Sequence, residues 1–199
     1  MRFIETAISG AFLIEPELAR DERGFFARTW CRDEFARHGL EAEFVQCNVS
    51  FNQFSGTLRG MHYQAEPHGE VKLVRVTQGA IYDVLVDLRC NSPTYKRWVA
   101  YELSAVNRQA LYIPRGVAHG FQTLADASEV FYQMSTVYEP TAARGVRWND
   151  PALAIEWPQA ERVIAAKDNA WPDFVEARPG AGFRPLSPLA SGGNRAALS

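Results

Sequence analysis

The sequence predicts a mostly-β protein, on two observations. From Arg2 to about Gln64, and again from Val71 to Tyr138, it reads as short β-rich runs broken by turn residues. Strong, long helical periodicity is missing from both stretches. With 199 residues, 47% of them hydrophobic, the chain is long enough for one domain with a full core.

Taken in order, the first exception is a short helix around Cys31 to His38, where Asp33, Glu34, Phe35 and Arg37 interrupt the strand pattern and Gly39 supplies a stop. The run Gly56-Thr-Leu-Arg-Gly-Met-His-Tyr-Gln64 is a strand with Gly60 in its interior, which suggests a bulge. Strict alternation would place Arg59 and His62 on opposite faces, whereas an extra residue at Gly60 re-phases the strand and lets both face one cavity. Val71 to Thr77 and Ala80 to Leu88, separated by Gln78-Gly79, read as a hairpin in which Thr77 opposes Ala80. In that register Lys72, Val74 and Val76 share a face with Ile81, Asp83 and Leu85, making Lys72 and Asp83 diagonal neighbours on an otherwise apolar face. The hairpin alone leaves open whether such a pair is functional, a structural ion pair, or the sign of a register slipped by one residue. Beyond Tyr138, Pro140, Pro151, Pro158, Pro172 and Pro179 break the chain into turns, with a short helix expected near Pro151 to Ile155 capped by Asp150. The domain is placed at residues 1–177; residues 178–199, rich in Gly, Pro, Ser and Ala, read as a weakly packed tail.

Composition narrows the partners. A net charge of -2, from 21 Lys plus Arg against 23 Asp plus Glu, does not suit a surface that neutralises nucleic-acid phosphates. No run approaches the roughly 18 apolar residues of a membrane span, and the N-terminal segment lacks a secretory pattern, so neither membrane nor nucleic acid is expected as a partner and the cytoplasm is the expected location. Cys31, Cys47 and Cys90 are too far apart for a zinc or disulfide framework and read as reduced thiols.

Taken alone, His62 and His119 would each be a core or surface histidine, Tyr132 a core tyrosine and Asp168 a solvated loop charge. Together they fall into a larger pattern. Pro114-x-Gly-x-x-His119 resembles the second motif of the cupin superfamily, a double-stranded β-helix or jelly-roll barrel. Asp21-Glu-Arg-Gly-Phe-Phe26, Phe44-Val-Gln46, Leu58-Arg-Gly-Met-His-Tyr-Gln64, Lys72-Leu-Val-Arg75, Ala118-His-Gly-Phe121, Arg144-Gly-Val-Arg-Trp-Asn-Asp-Pro151 and Lys167-Asp168 follow the order and spacing of the dTDP-4-dehydrorhamnose 3,5-epimerase family, across about residues 2 to 174.

The resemblance implies a cofactor-free, metal-free isomerase acting on a nucleotide-linked 4-keto-6-deoxyhexose, as a homodimer. It assigns His62 as the base, Asp168 as its orienting carboxylate, Lys72 as the group that stabilises an enolate and Tyr132 as the proton donor. Arg59 and His119 would line the sugar and phosphate region, with Asp83 facing it and Tyr138 beyond it. Arg23, Gln46, Asn48 and Lys167 would hold the nucleotide and its phosphates. Three positions depart from the family where carboxylates are usual: Arg28, Cys47 and Ala143. These keep a CDP-linked or other nucleotide sugar, with inversion at C3, C5 or both, as an alternative. A metal-dependent cupin is disfavoured because Tyr63 and Gln64 follow His62 where a second histidine and a glutamate would be needed. A sugar-nucleotide binding protein without activity is the remaining alternative.

Overall fold

A computed structural model describes residues 1–160 and 163–176; the tail expected at 178–199 lies outside the described residues. The chain runs β1 (Arg2–Glu5), β2 (Phe12–Glu15), β3 (Ala19–Asp21), β4 (Gly24–Phe26), α1 (Arg32–Arg37), β5 (Gln46–Asn52), β6 (Thr57–Gln64) and β7 (Lys72–Gln78). It continues through β8 (Ala80–Asp87), β9 (Trp98–Ser104), β10 (Ala110–Ile113), β11 (Val117–Thr123), β12 (Ser128–Met134), β13 (Ala143–Gly145), β14 (Val163–Ile164) and α2 (Ala166–Asn169). One sheet has the order β1-β2-β10-β7-β12-β5, and the other has β13-β6-β11-β8-β9, with β14 also beside β6. The ribbon β3–β4 stands apart as a two-stranded sheet. This is the mostly-β, cupin-type barrel of two facing sheets that the sequence predicts.

Val74, Val76, Ile81, Leu85, Leu103, Leu111, Ile113, Phe121 and Val130 fill the space between the sheets. The outer face of the first sheet is covered by α1 through Phe35, which meets Ile14, Leu73 and Tyr112. The second sheet packs Met61, Val84, Val86 and Ala118 against Val146, Leu153 and Ile155 of the later chain. Central strands are therefore covered on both faces: every residue of β11 is buried, and β8 is buried at all but two positions.

The expected hairpin is not formed. β7 lies between β10 and β12, while β8 lies between β11 and β9 in the opposite sheet. The link at Gly79, with φ of +74°, carries the chain from one sheet to the other. Both strands need a neighbour on each edge, and each sheet supplies two, so the short link is a crossing rather than a turn. The assignment of faces still holds, because Val74 and Val76 meet Ile81 and Leu85 in the core between the sheets. The Lys72–Asp83 pair dissolves: Lys72 meets Glu70, and Asp83 meets His119. The helix expected near Pro151 is also absent; those residues form a turn in which Asp150 accepts from the Ala152 and Phe174 amides. Asp150 thus joins two segments instead of capping a helix.

Candidate active site

At one end of the space between the sheets, apolar side chains give way to polar ones. The re-phasing of β6 sets up this change. His62 pairs with His119 and Arg59 with Phe121, so three residues of β6 span the same length as two of β11, the bulge expected at Gly60. Gly60 has φ of +128°, and a Cβ there would lie 2.5 Å from the Gly120 Cα and 3.0 Å from the His119 carbonyl oxygen. Only glycine fits both the backbone and the contact. Arg59 and His62 consequently share the inner face, while Met61 and Tyr63 pack outward.

His62 Nε2 lies 2.7 Å from Asp168 Oδ1. Asp168 sits on the single turn α2, and its side chain is only 2% exposed, against the solvated position its loop-like sequence would suggest. Its second oxygen accepts from the Gly60 amide at 3.4 Å. Burial alone would raise the Asp168 pKa, but the hydrogen bond and charge of His62, the Gly60 amide and Lys167 outweigh it and hold the carboxyl below its usual value. Asp168 is therefore a carboxylate at neutral pH. Trp171 sets its ring edge against His62 at 6.2 Å between centroids. Gly145 makes room for that ring, since a Cβ there would run into it.

Beside this dyad stands a second one. His119 Nε2 lies 2.6 Å from Asp83 Oδ1, and Asp83 is fully buried with its other oxygen unpartnered. The two histidines are direct cross-strand neighbours, each on its own carboxylate.

The first sheet supplies the opposite wall. Tyr132 pairs across the ladders with Val74 and Asn48, placing it on the inner face. Burial pushes the Tyr132 phenol above its usual value; Arg59 works against this, and Glu70 and Tyr138 work with it. Lys72, at the start of β7, reaches Glu70 Oε1 at 3.0 Å and the His62 carbonyl at 3.3 Å. On the edge strand β5, Gln46 Nε2 donates to Asn48 Oδ1 and Gln46 Oε1 accepts from the Tyr138 amide, both at 3.0 Å. Arg59 is steadied by Asn52 Oδ1 at 2.7 Å.

Not every expected residue is brought here. Arg23 is exposed at the turn of the β3–β4 ribbon and bonds to Asp21. Lys167 is exposed on α2, next to Asp168. Cys47 lies on the outward, exposed side of β5, so the lost carboxylate at this position does not alter the inner wall. Arg28 pairs with Glu34 at 2.7 Å, and Ala143 pairs with Gln64 at the start of β13. The residues that sequence reasoning passes over are Glu70 and Trp171. Glu70 does leave a trace, as an acidic residue two places before Lys72, whereas nothing local marks Trp171 as a neighbour of His62.

Comparison with known proteins places this cupin-type barrel among enzymes of the isomerase class. The family described as dTDP-4-dehydrorhamnose 3,5-epimerase matches residues 5–176. The Methanothermobacter thermautotrophicus dTDP-4-dehydrorhamnose 3,5-epimerase is 46% identical over 179 residues, 88% of this chain and 95% of that protein. A Bacillus anthracis dTDP-4-dehydrorhamnose 3,5-epimerase, solved with TDP and PPi bound, superposes with a TM-score of 0.84 at 44% identity, covering 87% of this chain and 99% of that one. A Streptomyces niveus dTDP-4-dehydrorhamnose 3-epimerase is 37% identical over 89% of this chain and 86% of that protein. The chain belongs to the dTDP-4-dehydrorhamnose 3,5-epimerase family. No helix among the described residues is long and apolar enough to cross a membrane.

Proposed function

We propose that the protein inverts carbons adjacent to the ketone of a dTDP-linked 4-keto-6-deoxyhexose, by proton transfer alone. The observation that carries this reading is the His62–Asp168 dyad on one sheet with Tyr132 on the inner face of the other. Inversion beside a ketone needs a base on one side of the sugar ring and an acid on the opposite side. His62 takes the proton, and the C–H electron pair moves into an enolate whose charge rests on the former ketone oxygen. Asp168 holds the imidazole by one ring nitrogen and stabilises the imidazolium once it forms. The Lys72 ammonium and the His119–Asp83 pair offer donors for the oxyanion. Tyr132, kept protonated by its surroundings, returns a proton to the other side of the carbon, and solvent then restores both groups.

Gln46, Asn48 and Tyr138, joined at the edge of the first sheet, suit a nucleotide lying over that edge, with Arg59 available to its phosphates. TDP bound to the Bacillus anthracis relative favours thymidine over cytidine. The 3-epimerase among the relatives keeps single inversion at C3 as the second reading. A homodimer belongs to the proposal: the outward side of β5 leaves Val49 58% and Phe51 53% exposed, and Phe26 on the ribbon is 78% exposed, an apolar surface that a second copy would cover. Arg23 and Lys167 would take part in nucleotide binding only from the rim or from a second copy.

Proton NMR in deuterated buffer with dTDP- and CDP-4-keto-6-deoxyglucose tests the reading. The expected result is loss of the H3 and H5 signals with inverted product, faster for the dTDP sugar. Loss of H3 alone would select the 3-epimerase, and binding without exchange would select a binding protein.

A further inference from the structure

Glu70 has no place in the proton path, yet it is bound directly to Lys72, the lysine assigned to the oxyanion. Its side chain is 3% exposed, a costly position for a carboxylate unless it is paired. Oε2 accepts from the Gln64 amide at 2.9 Å, which anchors it to the end of β6. Oε1 meets the Lys72 ammonium at 3.0 Å, and the same ammonium donates to the His62 carbonyl at 3.3 Å. A single carboxylate thus ties the β7 lysine to the β6 backbone beside His62, across the junction of the two sheets.

We propose that Glu70 is a positioning residue of this site: it fixes the Lys72 ammonium beside His62 and supplies the negative charge that balances it between the two walls. This inference rests on the epimerase reading above. Lysine carries four rotatable carbons and three donors, so an untethered ammonium would spread over many positions. Two acceptors, Glu70 Oε1 from the loop before β7 and the His62 carbonyl of β6, hold it where an oxyanion forming next to His62 would meet it. The charge also reaches the opposite wall. Tyr132 faces Arg59 from β6, Tyr138 beyond β12 and Glu70; of these, only Arg59 favours the phenolate. His62 faces Asp168 from α2 and His119 from β11. Removing the charge at position 70 leaves Arg59 less opposed at Tyr132, so the phenol ionises at lower pH.

Glu70→Gln keeps an acceptor for the Gln64 amide and removes only the charge. The test combines kcat–pH profiles for the dTDP 4-keto sugar with titration of protein carrying ¹³Cζ-tyrosine, the Tyr132 signal being identified by its loss in Tyr132→Phe. The expected result is a basic limb and a Tyr132 midpoint both lower by about half a pH unit or more. kcat should fall about tenfold while KM stays within about twofold, the pattern of a group acting in the transition state. Folded Glu70→Gln protein with both pH readouts unmoved would overturn the inference, even if kcat fell. The tyrosine titration needs no substrate, so an absence of turnover in the wild type would sink the epimerase reading while leaving this measurement to judge Glu70.

Discussion

Replacing His62 by alanine is expected to slow solvent-proton exchange into a dTDP-linked 4-keto sugar by about 10³-fold, within the usual contribution of a positioned general base. The fold should survive the change. His62 is 35% exposed at its side chain, and the core between the sheets is built from other residues. Asp168 would lose its principal partner but keep the Gly60 amide. dTDP affinity should stay within about twofold of wild type, because Gln46 and Asn48 stand on the other sheet, Tyr138 is held by Gln46, and Arg59 keeps its own bond to Asn52. Rapid-mix exchange measured by NMR, alongside calorimetric titration with dTDP, separates the two quantities. Exchange within tenfold of wild type would remove His62 as the base.

The second large effect is structural. Gly60→Ala is expected to destabilise the protein by about 3 kcal/mol or more, because the new Cβ would meet the backbone of β11 and the residue would keep a positive φ. For a domain of this size, that corresponds to a fall of roughly 10 °C in Tm, readable by circular dichroism. Any folded fraction should also be nearly inactive. The close approach of Gly60 to Gly120 is what lets β6 carry an extra residue, and the extra residue is what turns Arg59 and His62 to the same side. An alanine variant with wild-type melting would show that the strand can shift to admit the methyl group.

Gly60 also shows what a sequence can convey. A glycine inside an otherwise regular strand, between an arginine and a histidine of discordant phase, was enough to predict a bulge and a shared face. Faces in general were legible, since Lys72, Val74 and Val76 do look inward with Ile81, Asp83 and Leu85, as alternation requires. Pairing was not. Two strands joined by a Gln-Gly link look the same locally whether they fold back on each other or cross between sheets, and the choice depends on which other strands occupy their edges. The ion pairs failed for the same reason: Lys72 and Asp83 found partners on strands and loops whose positions no local pattern records. Asp168 was hidden in another way. In sequence it is a charge between a lysine and an asparagine, and only the docking of α2 against β6 buries it on His62. Resemblance to a family proposes a role for it, but its burial could not be anticipated from its neighbours.

The central claim is that a base and an acid stand on opposite sheets with the sugar between them. Tyr132→Phe in deuterated buffer tests it most directly. His62 can still remove a proton and return a solvent deuteron to the same side, so the substrate should take up label at its acidic carbons with retention of configuration. Inverted product should fall by at least about 10²-fold. Inversion at an unchanged rate in Tyr132→Phe would contradict the account, because the acid would then lie elsewhere.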